Sequence, residues 1–305
     1  MRTSEKIKRF LDIKVSLYKE KNTYINYKID LMQLDLHMKN ILGEDWLSTV
    51  DNDEIELYVK SLKDKGYEDT TINRKIASAS SFFGYCEDKG WIDRSPMRGI
   101  ELFKIHKKKK DVLEVKDVRR MIACTYKRQA REKNFEFNSA RNRFILALLT
   151  TTGLRIGELI NINLRSLEKV EGGYMINIAA EDIKNNVEKR VPIANKTLEY
   201  FEEYMNERSS EGFESDVLIL SRTGRKLTRE GVQNMISKYC DRIGLSEKNI
   251  TPHTFRHSCT GMLRKNRVED SLIYNILGWK EGIISVYTDD ISMLDSAKII
   301  SCNIL

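Results

Sequence analysis

The stretch FILALLTTTGLRIGELINI, residues 144–162, contains the end of one helix, a break and the start of another. Its apolar first half continues a helical pattern that we predict to span 139–152. Gly153 ends this helix, and a second helix is predicted over 156–162. Arg155 lies between the two helices, where a cationic side chain and the free N–H groups of a helix start are aimed at one place.

Most of the remaining chain shows the same helical periodicity. Helices are predicted over 7–15, 24–42, 53–63, 70–89, 115–127, 196–208, 228–243, 252–265 and 269–277. In the second of these helices, the predicted buried stripe contains Ile25, Ile29, Met32 and Leu36 and extends toward Ile41. Alternating apolar residues predict strands over 174–179 and 190–193, joined by a turn at Asn185-Asn186. The predicted fold class is therefore mainly α with a small β hairpin or sheet.

The stretch WIDRSPMRGIELFKIHKKKKDVLEV separates two helical regions and predicts two domains. It contains Pro96 and the basic run Lys107 to Lys110, so we interpret it as a linker. The predicted organisation is a helical domain over 1–95, a basic linker over 96–111 and a second domain over 112–305. The lysine run suits a solvated tether and a contact with phosphates equally well.

Composition limits the classes of protein that fit. The chain has 305 residues, a net charge of +7 and only three prolines, which favours a helical globular protein with a polyanionic partner such as nucleic acid. The five cysteines are scattered and form no C-x-x-C spacing, which disfavours a zinc ribbon or a disulfide framework. Because no signal peptide or membrane-spanning apolar run is found, we expect a cytoplasmic protein without a membrane partner.

A second charged segment is TPHTFRHS, residues 251–258. Thr251 suits a helix N-cap and Pro252 suits the first helical position. His253 and Arg256 point away from the apolar stripe of this helix, so we expect them to face solvent, a partner or a cleft. A surface histidine and arginine without a task would give the same short pattern. Glu158, three residues after Arg155, would either orient a basic side chain of a site or simply pair with that arginine at the surface.

Two further segments carry candidate residues. Lys184 lies beside the predicted turn in IKNNVEKRVPI, residues 183–193, and could extend as a mobile charge or only solvate the turn. Trp279 and Tyr287 lie in LGWKEGIISVYTDD, residues 277–290, where each would ordinarily be assigned to packing.

Taken together, the order R, K, H-x-x-R, W and Y in a basic chain resembles the tyrosine recombinase (phage integrase) family. The resemblance extends over nearly the whole chain and is nearest to the Xer-type or simple mobile-element members. Residues 70–100 resemble the end of that family's core-binding domain and its linker. The resemblance implies a helical SAM-like core-binding domain followed by the family's catalytic domain.

The resemblance also implies the role of each candidate. Arg155 and Arg256 would hold the scissile phosphate, and Lys184 and His253 would be the hairpin lysine and the histidine of H-x-x-R. Trp279 occupies a position that is histidine in many members and tryptophan in some, and Tyr287 would be the nucleophile, although Tyr239 and Tyr274 stay open.

The implied activity is site-specific cutting and rejoining of DNA through a 3′-phosphotyrosyl intermediate, without metal, ATP or another cofactor. Double-stranded DNA with recombination sites, further copies of the chain in a tetramer and accessory proteins are the implied partners. The tail, residues 291–305, would pack on its own domain or on a neighbouring copy. Two alternatives remain: a type IB topoisomerase, and a DNA-binding protein that has lost catalysis.

Overall fold

The computed structural model divides the chain into two units, residues 1–108 and 109–305. It describes residues 1–15, 21–105, 111–128, 134–179 and 188–277. The prediction of a mainly helical protein with one small sheet is confirmed. Within these ranges, every helix is too short or too polar to cross a membrane.

The described residues of the first unit form four α-helices. They are α1 (Thr3–Phe10), which continues as a π-helical turn over Leu11–Val15, α2 (Lys21–Leu42), α3 (Asn52–Asp64) and α4 (Asp69–Asp88). Helix α4 buries an apolar stripe along its length: Ile72, Ile76, Ala79, Phe83 and Cys86.

The stripe predicted for α2 was wrong, because the helix buries a different face. Ile29 and Leu36 are 54% and 63% exposed, and Ile25, Met32 and Ile41 are exposed as well. The buried face carries Leu31, Leu34 and Met38. Both sets of residues have helical spacing, so periodicity alone does not distinguish them.

Asp30 explains which face of α2 turns inward. Its buried carboxylate accepts hydrogen bonds from Lys75 Nζ and Ser78 Oγ, both at 2.9 Å, and also pairs with Arg74. All three partners belong to α4. A buried carboxylate requires such partners, so the Asp30 face of α2 must lie against α4.

The second unit contains the helices α5 (Val115–Thr125), α6 (Phe135–Thr152), α7 (Ile156–Asn161), α8 (Asn195–Ser210), α9 (Arg229–Arg242), α10 (Pro252–Lys265) and α11 (Asp270–Leu277). Helix α6 lies in the core, and all of its apolar residues from Phe144 to Leu149 are fully buried. Phe144 stacks on Tyr204 of α8, with ring centroids 5.9 Å apart. The central helix is therefore fixed from several sides.

A three-stranded antiparallel sheet contains β1 (Leu167–Val170), β2 (Gly173–Ile178) and β3 (Lys189–Ala194), in that order. Strand β1 was not predicted. It pairs with β2 through a tight turn in which Gly172 has a φ of 82°. Strands β2 and β3 pair from Gly173–Ala194 to Ile178–Lys189. The predicted turn at Asn185-Asn186 lies outside the described residues.

The junction between α6 and α7 depends on Gly153. Its φ of 58° is in the left-handed region, which favours glycine. A Cβ atom at this position would lie 2.6 Å from Leu277 Cδ2 and 3.5 Å from the Cα of Arg256. Only a residue without a side chain lets α10 and α11 approach the junction this closely.

Candidate functional site

Arg155 is the N-cap residue of α7, and Glu158 holds it there. Glu158 Oε2 accepts a hydrogen bond from the Arg155 backbone N at 2.9 Å, and Oε1 accepts one from Arg155 Nη1 at 2.8 Å. The Glu158 side chain is 2% exposed, whereas that of Arg155 is 28% exposed. Buried Glu158 therefore orients the partly exposed arginine, which is one of the two interpretations that the sequence allowed. The other interpretation, an ion pair at the surface, is excluded by the burial of Glu158.

Arg256 of α10 is buried, with 3% of the residue exposed. Its Nη1 donates to the carbonyl oxygen of Gly153 at 2.8 Å, and its Nη2 donates to the carbonyl oxygen of Leu277. Of the three expected surroundings of this side chain, which were solvent, a partner or a cleft, the burial excludes solvent. One guanidinium connects the end of α6 with the end of α11.

The two arginines act on each other electrostatically. Burial and, to a smaller extent, repulsion from Arg155 lower the pKa of Arg256 to about 10, while Glu158 opposes the shift. The guanidinium stays charged at neutral pH. Two arginines that are far apart in the sequence thus meet beside the Gly153 junction, and this arrangement favours an anion.

Lys189, the first residue of β3, completes this cluster. Its Nζ donates a 2.6 Å hydrogen bond to Glu158 Oε2, and its side chain is 1% exposed. Burial, opposed by Glu158 and reinforced by repulsion from Arg256 and Arg155, lowers the pKa of Lys189 to about 8. Burial acts to raise the pKa of Glu158, but Lys189 and the Arg155 hydrogen bonds outweigh it and the net shift is downward. The pair is therefore ionised at neutral pH.

Sequence reasoning missed Lys189, although the sequence contains a signal for it. Successive side chains of a strand point to opposite faces, so Lys189 shares a face with Val191 and Ile193. Both of these residues are fully buried. A lysine in register with buried residues of a strand requires a buried counter-charge, which Glu158 supplies.

His253 lies one turn before Arg256 on α10 and is exposed, as predicted. Its ring makes an edge contact with that of His257, with centroids 4.6 Å apart. The predicted helix start is confirmed, since Thr251 Oγ1 accepts a hydrogen bond from the backbone N of Thr254 and Pro252 is the first helical residue. The histidine is thus accessible to a ligand that approaches the first turn of α10.

Three of the six candidate residues lie in the part of the chain that the structure describes. These are Arg155, His253 and Arg256, and the cluster above brings the two arginines together. Lys184, Trp279 and Tyr287 lie outside the described residues.

Of the alternative tyrosines, Tyr239 is buried and its hydroxyl accepts a hydrogen bond from Asn142 Nδ2 at 3.1 Å. Tyr274 is partly exposed and interacts with Arg264. Burial makes Tyr239 a poor nucleophile for a macromolecular substrate.

Comparison with protein families gives two matches. Residues 111–291 match the phage integrase family, and residues 7–90 match the N-terminal SAM-like domain of phage integrases.

Individual relatives match most of the chain. Tyrosine recombinase XerD of Staphylococcus haemolyticus is 30% identical over 279 residues, which cover 90% of this chain and 88% of that protein. A tyrosine recombinase of Agathobacter rectalis is 28% identical over 277 residues, which cover 88% of this chain and 86% of that protein.

Two solved structures share the fold. A lambda integrase dimer bound to a COC′ core site has a TM-score of 0.72 at 17% identity and covers 92% of this chain and 96% of that one. XerH recombinase bound to a palindromic difH substrate has a TM-score of 0.67 at 18% identity and covers 92% of this chain and 76% of that one.

Proposed function

The chain belongs to the phage integrase family of tyrosine site-specific DNA recombinases, and we propose that Tyr287 is the nucleophile with which it cuts and rejoins DNA strands. The observation that carries the assignment of the site is the meeting of Arg155 and Arg256 beside Gly153. These guanidiniums would hold the non-bridging oxygens of the scissile phosphate. Their fork-shaped donors fit that task and stay charged at neutral pH.

The reaction we propose is a pair of reversible transesterifications. The Tyr287 oxygen attacks phosphorus and forms a 3′-phosphotyrosyl ester, while the bond to the 5′ oxygen of the next nucleotide breaks. A free phenol has a pKa of about 10, so its proton must be taken up, and His253 is the candidate acceptor. Lys184 gives a proton to the leaving 5′ oxygen. The 5′-hydroxyl of a second strand then attacks the ester and releases Tyr287.

This scheme conserves the energy of the phosphodiester bond in the tyrosyl ester, so neither ATP nor a metal ion is needed. Negative charge grows on the phosphate oxygens in the pentacoordinate transition state. Donors fixed at that position are usually the largest catalytic contribution, and the loss of one typically lowers the rate by about 10²- to 10³-fold. Trp279 would pack against the phosphate or donate to it through its indole N–H.

Double-stranded DNA with recombination sites is the proposed substrate, and the excess of seven positive charges favours it. In this scheme residues 1–95 bind DNA, residues 96–111 link the domains and residues 112–305 carry the reaction. Strand exchange between two sites requires several copies, so we propose a tetramer on paired sites, with accessory proteins as further partners. The cytoplasm is the proposed location, since the recombinase relatives are bacterial proteins and bacterial DNA lies in the cytoplasm.

A nicked suicide duplex tests the proposal. The recombination site to place in this duplex is identified by footprinting and by sequencing the DNA junctions around the gene that encodes the chain. We expect the wild-type chain to form a covalent DNA adduct and the Tyr287→Phe variant to form none, while Tyr239→Phe and Tyr274→Phe still form it. Absence of an adduct on the bound cognate site would contradict the proposal. Exchange between two sites, as opposed to relaxation of supercoils alone, distinguishes a recombinase from a topoisomerase.

A further inference from the structure

Lys189 is a buried lysine of the sheet to which the reaction scheme assigns no role. Its ammonium group binds the same carboxylate as Arg155 and is separated from solvent, since 1% of its side chain is exposed. A buried lysine is costly unless a partner compensates its charge. The partner here is Glu158, the same carboxylate that orients a proposed phosphate-binding arginine.

Glu158 accepts three hydrogen bonds and is shared between two cations. Oε1 accepts from Arg155 Nη1 at 2.8 Å, and Oε2 accepts from the Arg155 backbone N at 2.9 Å and from Lys189 Nζ at 2.6 Å. The carboxylate is therefore fixed by β3 on one side and by the first turn of α7 on the other. Because Arg155 binds both oxygens and Lys189 binds Oε2 as well, the carboxylate can turn only if one of these contacts breaks.

The charges of the cluster show what Lys189 adds. Arg155, Arg256 and Lys189 carry three positive charges and Glu158 carries one negative charge, so the net charge is +2. Without the lysine charge the net value would be +1, and the carboxylate would pair with Arg155 alone. That pairing would weaken the attraction of Arg155 for an anion at a buried, weakly screened site.

We propose that Lys189 is a positioning residue, whose ammonium group binds Glu158 so that this carboxylate orients Arg155 without cancelling its charge. The inference rests on the proposed function, because it assigns Arg155 to the scissile phosphate. Lys189 does not touch DNA in this scheme, since its Nζ is buried and occupied by Glu158. It is thereby distinguished from Lys184, the proposed proton donor.

The ionisation of Lys189 gives this role a signature. The groups that act on its charge are Glu158 and Arg155 of α7 and Arg256 and Cys259 of α10. The pKa of Lys189 is lowered to about 8, so its charge is lost as the pH rises through that value. DNA cleavage by the wild-type chain should then decrease above about pH 8, even though both arginines stay charged.

The test compares Lys189→Met and Lys189→Arg with Arg190→Met as the control. Arg190 is the next residue of β3 but points to the other side, where it pairs with Glu168 at the surface. Single-turnover cleavage of the suicide duplex is measured from about pH 6.5 to about 9.5, together with DNA affinity and far-UV circular dichroism. We expect Lys189→Met to cleave about 100-fold more slowly at neutral pH, with DNA affinity changed only a few-fold. Arg190→Met should cleave at the wild-type rate.

The Lys189→Arg variant separates a charge role from simple packing. A guanidinium stays charged throughout this pH range, so this variant should cleave within about tenfold of wild type at neutral pH and lose the decrease near pH 8. The same alkaline decrease in wild type and Lys189→Arg would overturn the proposal. A folded Lys189→Met chain that cleaves at the wild-type rate would overturn it too.

A double variant keeps the proposal testable if Lys189→Met does not fold. Lys189→Met/Glu158→Gln removes both buried charges and restores a net charge of +2 on the two arginines. The double variant should fold and cleave at least about tenfold faster than Lys189→Met. If Lys189→Met is unfolded, the double variant should still show measurable cleavage. A folded double variant without cleavage would overturn the proposal. If the wild-type chain itself forms no adduct that depends on Tyr287, the proposed function fails instead of this inference.

Discussion

Arg256 Nη1 donates a 2.8 Å hydrogen bond to the carbonyl oxygen of Gly153, which lies 103 positions earlier in the sequence. The same glycine precedes Arg155 by two residues and adopts a conformation that other residues avoid. One backbone position therefore fixes the distance between two arginines that belong to different helices. The α6–α7 junction therefore positions both arginines of the candidate site.

The first prediction concerns the Gly153→Ala variant. The methyl group would combine an unfavourable φ of 58° with an approach of 2.6 Å to Leu277 Cδ2. We expect the free energy of unfolding to fall by about 2–4 kcal/mol and cleavage to decrease, because α10 and α11 must move away from the junction. Urea denaturation followed by circular dichroism measures the first effect.

Gly212→Ala is the matched control for this variant. Gly212 has a similar φ of 67°, but a Cβ atom there would meet nothing within 4 Å. Its substitution should cost only about 1 kcal/mol and leave cleavage unchanged. Equal effects of the two substitutions would show that the close approach at Gly153 has no importance.

The second prediction concerns Arg256→Lys. Lysine keeps the charge but cannot bridge the carbonyl oxygens of Gly153 and Leu277 with separate N–H groups of one planar fork. We expect single-turnover cleavage to fall by about 10²- to 10³-fold, with DNA affinity reduced only a few-fold. Arg264→Lys on the same helix is the control, because Arg264 forms an exposed ion pair with Asp270. A variant of Arg256 that cleaves like the control would remove Arg256 from the site.

The third prediction concerns how the stability of the Glu158→Gln variant depends on pH. Because the pKa of Glu158 is lowered in the folded chain, its carboxylate stabilises the fold above the ordinary value of about 4.3 and loses this effect as the pH falls through the folded value. At neutral pH, the variant leaves Lys189 buried without its counter-charge, and we expect a loss of about 3–5 kcal/mol. The loss should shrink in acid, as the pH falls through the lowered pKa of folded Glu158 and the wild-type carboxylate becomes protonated.

Urea denaturation between neutral pH and about pH 3 measures this difference. Glu168→Gln is the control, since Glu168 pairs with Arg190 at the surface and should contribute about 0–1 kcal/mol. A destabilisation by Glu158→Gln that does not change with pH would exclude the ion pair as its cause.

The sequence predicted the elements around the site better than the contacts between them. The glycine break before Arg155 and the Thr251-Pro252 helix start are local signals, and both are found where the sequence places them. The burial of Arg256 was not foreseen, because the carbonyl groups that it binds lie in distant segments. Lys189 carried a usable signal in its strand register, but its partner Glu158 could be identified only from the fold.

Helix α2 shows where periodicity reaches its limit. Two apolar stripes of helical spacing lie on different faces of this helix, and the choice between them depends on an ion pair with α4. A single polar residue, Asp30, marked the buried face. The burial of Asp30 depends on its ion pair with Lys75 of α4, which is 45 positions away in the sequence and cannot be identified from the sequence of α2 alone.

The last prediction tests this assignment of the faces of α2. Replacing the exposed residues Ile29 and Leu36 by Gln removes apolar side chains from solvent-facing positions, so we expect the free energy of unfolding to change by no more than about 0.5 kcal/mol per site. Leu34→Ala on the buried face should instead cost about 2–5 kcal/mol, because it opens a cavity. Urea denaturation of the full chain, followed by circular dichroism, measures both. If the glutamine substitutions proved as destabilising as Leu34→Ala, the stripe predicted from periodicity would be the buried face after all.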